Sequence, residues 1–186
     1  MVASVGGYRK WLLVAGRIKA AHRLAQQAAL SSRWQLSVQT GRDLGQRLES
    51  AFRSHFVAGA QKVIVVGTDT PWMGAQQIVR AFQSLDAADV VIGPTEDGGY
   101  YLVGARRLVP EMFHGIRWGT ESVFAQTVAA LRKAKASVRL LRRNFDLDRP
   151  EDLRRVARLL RGRKIRSPAL KRWIFHWELE PGRKPL

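Results

Sequence analysis

A chain of 186 residues with 46% hydrophobic content and six tryptophans is long enough for one domain with a sizeable core, and too apolar for a disordered segment. Zero cysteines removes disulfides, thiolate catalysis and zinc–sulfur sites; no apolar run approaches the ~20 residues of a membrane span, and the basic start is a poor secretory signal, so the expected location is cytoplasmic. The net charge of +17 is uneven, since residues 132–172 hold sixteen Lys and Arg against four Asp and Glu, and such a field attracts phosphates, nucleic acid and anionic lipid alike.

Short apolar runs alternate with amphipathic stretches along the chain. "KWLLVAG" (10–16) reads as a buried strand and "IKAAHRLAQQAAL" (18–30) as a helix. "WQLSVQ" (34–39) alternates as a strand does. The segment 41–60 places Leu44, Leu48, Ala51, Phe52 and Phe56 at helical spacing, with Gly59 as its stop. "KVIVVGT" (62–68) predicts a central strand, 74–85 a helix, and "ADVVIGP" (88–94) and "YYLVGA" (100–105) two further strands. A helix over 120–134 with Thr120 as its cap follows, then a strand over 137–142. The last helix, 149–162, opens on a proline and closes on Gly162. The alternation predicts an α/β domain over 1–161, a mostly parallel sheet flanked by helices, with a basic, aromatic extension over 162–186.

Sites in such sheets lie at the carboxyl ends of the strands. Three acidic stretches fall there: "GTDTP" (67–71), "TEDGGYY" (95–101) and "NFDLDRPEDL" (144–153). Asp69 and Asp148, from different strand ends, have the hard oxygens that a divalent cation needs beside a diphosphate leaving group. Each alone is also an ordinary turn or helix-start acid. Gly98 and Gly99 read either as a hairpin turn or as a place where backbone N–H groups approach an anion. The four histidines show no metal-ligand spacing.

"VIVVGTDTPWM", "ADVVIGPTEDGGYYLVGARR", "MFHGIRWGTESVFAQT" and "FDLDRPEDLRRV", in that order, resemble a family of small bacterial glycosyltransferase-A-like proteins, some known as radical-SAM/selenodomain-associated transferases. The family is related to nucleotidyltransferases, and the likeness runs from about residue 8 to about residue 160. It implies a nucleotide-diphospho-sugar transferase fold, a three-layer sandwich, and a Mg2+ or Mn2+ cofactor. It implies metal-binding acids Asp69 and Asp148 with Asp146 as helper, and catalytic roles for Asp69 and Asp97. Thr68, Gly98, Gly99 and Thr120 would line the nucleotide or substrate, with Glu96, Trp118 and Gly119 near them. The family's opening strand and its loop resembling Lys-x-Pro-x-Pro-Gly have no counterpart here. The first strand of this chain looks like the family's second, so the domain reads as N-terminally incomplete, with an open edge expected beside "KVIVVGT".

The implied function is a metal-dependent transferase moving a glycosyl group from a nucleotide-sugar donor to a small-molecule or lipid-linked acceptor. Two alternatives stand beside it: a nucleotidyltransferase on a small phosphorylated acid, and a non-catalytic remnant whose basic surface binds nucleic acid or an anionic membrane. In "PALKRWIFHWEL", Leu170, Trp173, Ile174 and Trp177 share a helix face. That face either docks on the domain or lies on anionic lipid.

Overall fold

The computed structural model describes residues 8–16, 19, 34–162, 170–172 and 174. Two parallel strands, β1 (Lys10–Val14) and β2 (Trp34–Val38), pair with Lys10 opposite Trp34. Then come α1 (Leu44–Val57), β3 (Val63–Val66), α2 (Ala75–Ala87), β4 (Val90–Pro94), β5 (Tyr100–Ala105), a 3₁₀ turn (Pro110–Met112), α3 (Val123–Lys133), β6 (Val138–Leu140) and α4 (Pro150–Arg161). The helix predicted over 18–30 lies outside the described residues, apart from helical Lys19. No helix among the described residues is long and apolar enough to cross a membrane.

The larger sheet has the order β3-β5-β4-β6. β4 and β6 are parallel, but β5 runs antiparallel to both β3 and β4, so the sheet is mixed where a mostly parallel one was expected. Chain length is the reason. Only Thr95–Gly99 separate β4 from β5, and a parallel crossover needs a dozen or more residues. The backbone N–H of Thr95 instead donates to the Gly99 carbonyl at 3.0 Å and closes a hairpin.

Strand alternation divides the core into layers. Val63, Val90, Ile92, Val103 and Ala105 face α1 and α3, where they meet Leu48, Phe52 and Leu131. Ile64, Val66, Val91 and Leu102 face the other way, onto Ala81 and Leu85 of α2. β4 is buried along its whole length, as an inner strand covered on both faces must be. A third cluster gathers Trp72, Phe145, Val156, Ala157, Leu160, Leu170 and Ile174, so two members of the C-terminal aromatic face pack on the domain. Trp173 and Trp177 lie outside the described residues.

β3 is an edge of its sheet, and among the described residues no strand pairs with its outer side. The β1–β2 pair is anchored by rings instead. Tyr8 stacks on Phe82 of α2 at 4.0 Å, and Trp11 meets His55 of α1 at 5.0 Å. The start of β1 thus touches both helix layers.

At the edge of the sheet where β4 and β6 begin, Asp89 acts as a staple, with 9% of its surface exposed. Arg106 Nε and Arg107 Nε each donate to it at 3.1 Å, and the Ser137 N–H at 3.0 Å. Arg107, then the Ser137 amide, hold its carboxyl well below the usual range. A depressed pKa contributes stability that is present above the unfolded value, about 3.9, and is lost as pH falls through the folded value. Asp89→Asn should therefore lower unfolding free energy at pH 7 by about 2 kcal/mol. The difference should shrink below about pH 4. Urea melts at both pH values check this, and equal stability at pH 7 would contradict it.

Candidate functional site

β3, β4 and β6 point the same way, so their carboxyl ends share one edge of the sheet, and β5 starts there. The acidic stretches leave from that edge. Asn144 clasps them. Its N–H donates to the Pro94 carbonyl at 2.9 Å, and its carbonyl accepts from Glu96 N at 3.0 Å. Its side-chain oxygen accepts from Trp72 Nε1 and from the N–H of Phe145, both at 3.0 Å. The Trp72 and Phe145 rings stack at 4.4 Å below this clasp.

Two further bonds join the loop after β3 to the loop after β6. Leu147 N donates to the Asp69 carbonyl at 2.9 Å. The Thr70 hydroxyl, on a residue only 3% exposed, donates to Asp146 Oδ1 at 3.0 Å. The sequence-predicted acids Asp69, Asp97, Asp146 and Asp148 are therefore neighbours. Although Asp69 is exposed as a residue, partial desolvation first, then the charges of Asp148 and Asp97, push its carboxyl up against the bond from its own N–H. Asp146 is pushed up to about 6, mainly by burial, with Asp69, Asp97 and Asp148 adding repulsion against the bond from Thr70.

No salt bridge among the described residues relieves this. The chain carries 32 Lys and Arg, yet among the described residues the ion pairs go to Glu49, Asp86, Asp89 and Glu96. Glu96 is gripped at 2.6 and 2.7 Å by the guanidinium of Arg155, which also lies 3.8 Å above the Phe145 ring. Asp148, by contrast, has no salt bridge among the described residues. The start of α4 is capped by Asp152, whose carboxylate accepts from Arg149 N at 2.9 Å and Asp148 N at 3.2 Å. The carboxylate of Asp148 accepts no hydrogen bond among the described residues. Asp69 folds back over Gly67, where any Cβ would lie 2.7 Å from its Oδ1.

The predicted ligand-lining residues fare differently. Asp97 Oδ1 accepts from the Thr95 hydroxyl and, at 3.1 Å, from Gly99 N. Gly98 has φ +88°, and a Cβ there would lie 1.9 Å from the Glu121 carbonyl oxygen, so the backbone before α3 occupies that space. Both glycines sit in the turn between β4 and β5. Thr68 is exposed beside Asp69. Thr120 is not the cap of α3, which starts after Ser122; its hydroxyl donates to the Arg117 carbonyl at 2.7 Å. Trp118 Nε1 would lie 2.4 Å from a Cβ at Gly45, which marks how closely the ring packs on the first turn of α1. Reasoning from sequence missed Asn144, Thr70, Trp72, Thr95 and Arg155, although the first four stand inside or beside the acidic stretches. None of the four acids lines the ≈ 260 Å³ cleft between the β1–β2 pair and α1.

Among the described residues no three His, Cys, Asp or Glu side chains form a ready-made metal cage. Mg2+ needs less than a cage, since it commonly takes one or two carboxylates and completes its shell with phosphate oxygens and water. A hard, oxygen-only, anionic donor set without bound cations fits an ion of that kind.

The fold and the acid-rich edge define a class before any individual. The chain belongs to a family described as uncharacterised proteins conserved in bacteria (DUF2064), matched over residues 2–120. It is similar to the crystal structure of a "putative nucleotide-diphospho-sugar transferase" from Desulfovibrio desulfuricans G20, with TM-score 0.72 and 30% identity over 87% of this chain and 76% of that one. No curated protein matches. The architecture is thus a mixed α/β fold, sheets flanked by helices, that matches this nucleotide-diphospho-sugar transferase neighbour.

The repulsion is measurable without a ligand. A carboxyl whose folded pKa lies above its unfolded one binds protons more tightly when folded, so stability falls as pH rises from about 4 to about 6. In EDTA, Asp146→Asn should reduce that fall, leaving the part due to Asp69, and make the variant about 1–2 kcal/mol more stable than wild type at pH 8. Denaturant melts at pH 5 and pH 8 give the comparison; a variant less stable at pH 8 would contradict the uncompensated cluster.

Proposed function

We propose that this protein is a divalent-metal-dependent transferase acting on a nucleotide-diphospho-sugar donor, with its reaction centre at Asp69, Asp97, Asp146 and Asp148. The observation that carries the reading is the junction of the β3 and β6 loops by the Leu147–Asp69 and Thr70–Asp146 bonds, which brings acids from separate strand ends to one locality. The similarity to a structure described as a nucleotide-diphospho-sugar transferase supports the donor class.

A Mg2+ or Mn2+ ion, when bound, would neutralise the diphosphate leaving group. Asp69 and Asp148, neither committed to a salt bridge among the described residues, are the residues to hold it, with Asp146 beside them. Thr70 fixes the rotamer of Asp146 from a buried position, so the carboxylate is oriented before any ligand arrives. Asp97 is aimed by Thr95 and Gly99, and it is the acid left to receive a proton from an acceptor hydroxyl. Glu96 is kept from this work by Arg155.

Titration calorimetry with UDP, GDP and CDP, with and without Mn2+, tests the reading. Mn2+ should tighten binding of one nucleotide by at least tenfold, about 1.4 kcal/mol. Asp69→Asn and Asp148→Asn should each remove that gain while the melting temperature holds or rises. Nucleotide binding that ignores Mn2+, or Asp69→Asn binding with the wild-type metal response, would overturn the metal-dependent transferase.

A further inference from the structure

The second large electrostatic feature lies along β6, the outer strand of the sheet. Residues 122–145 contain six Lys and Arg and no acid. Arg132, Lys133 and Lys135 close α3, Arg139 stands on β6, and Arg142 and Arg143 lead out of it; all six are exposed. Among the described residues none of the six forms a salt bridge. The acid at the entrance to β6, Asp89, is already taken by Arg106, Arg107 and Ser137.

Within this stretch Leu140 is 55% exposed; the alternation along β6 puts it on the α3 side of the sheet and Arg139 on the α2 side, so the free edge of the strand carries both. A nucleic-acid surface would interleave aromatic rings for the bases to stack on. The rings in this stretch are unavailable for stacking, since Phe124 packs against the core and Phe145 is buried beneath Trp72. An edge strand that projects unpaired cations along its free side, with one exposed aliphatic side chain among them, matches the chemistry of an anionic bilayer, with phosphates for the guanidiniums and an apolar layer just beneath.

We infer that the β6 edge and the end of α3 form a docking face for anionic membrane. The face meets the acid cluster at Arg143, which is close enough to Glu96 to help hold its carboxyl down. A protein seated this way presents the acid-bearing edge of its sheet beside the bilayer, where a lipid-linked acceptor would be found. Docking itself does not depend on the transferase reading and is measured without donor or metal.

The experiment is co-sedimentation of the full chain with vesicles of phosphatidylcholine alone and with about one third phosphatidylglycerol, at low and at about 0.5 M salt. Wild type should bind only the anionic vesicles, and salt should release it. At about fivefold per cation near the surface, Arg139→Glu/Arg142→Glu/Arg143→Glu should weaken binding on the order of 100-fold or more. Leu140→Ser should weaken vesicle binding severalfold and leave binding to a single-stranded RNA oligomer unchanged. Thermal melts confirm folding, and the corresponding Arg→Gln triple variant replaces the charge reversal if that variant unfolds. Two results would overturn the inference: triple variants binding vesicles as wild type does, or RNA bound more tightly than vesicles and lost with the same arginines.

Discussion

The four hydrogen bonds of Asn144 hold the functional edge together. They connect the end of β4, the loop after β3 and the continuation of β6 through a single residue. Two of the four are backbone bonds that extend the β4–β6 ladder past its last regular pair, through a bridge from Thr95 to Asn144. The other two use the side-chain oxygen, which reaches an indole N–H that the backbone could not. Because Trp72 and Phe145 stack directly below, the clasp is shielded from competing water, and buried hydrogen bonds of this kind are costly to leave unmade. The acids are positioned by this scaffold and not by attraction for one another.

Their mutual repulsion would ordinarily be removed by an arginine, in a chain that has many. Here a cation beside the cluster is diverted. Arg155 comes from α4 across the Phe145 ring and is held by both oxygens of Glu96, the acid immediately before Asp97. The third core cluster, which includes Val156, Ala157 and Leu160 from the same helix, offsets what the repulsion costs. Electrostatic strain is thus confined to a few side chains standing on a well-packed base, the pattern expected of groups kept charged for a ligand.

Much of this was legible in the sequence. Alternation and helical spacing located every described strand and helix, and the strand ends picked out Asp69 and Asp148, with Asp97 and Asp146 added by the family resemblance. The direction of β5 was also legible, since a five-residue connection cannot carry a crossover, but the alternation of strands and helices elsewhere outweighed it. Gly98 could not be read. Its lack of a side chain answers to the Glu121 carbonyl, more than twenty residues away in sequence, and no local pattern reports that contact. Thr120 was misread because any threonine ahead of an amphipathic run looks like a cap, whereas two more residues of turn precede α3. Asn144 and Thr70 have partners more than seventy residues distant, as Trp72 and Asp146 show, so their importance exists only in the fold.

β6 is where the two electrostatic features meet, and its weakness as a strand explains how. Only three residues long, with Arg139 and Leu140 exposed, it buries too little to be held by packing. Polar anchors hold it instead. Ser137 is fixed to Asp89 at one end, Leu141 N donates to the Ile92 carbonyl at 2.8 Å, and Asn144 closes the other end. A strand secured through its backbone and its termini leaves its outward side chains unconstrained by the core. Those positions are filled with arginines and one leucine, while the residues just past the clasp are aspartates. The same short segment therefore carries exposed arginines up to the acid-bearing edge of the sheet, where Arg143 acts on Glu96.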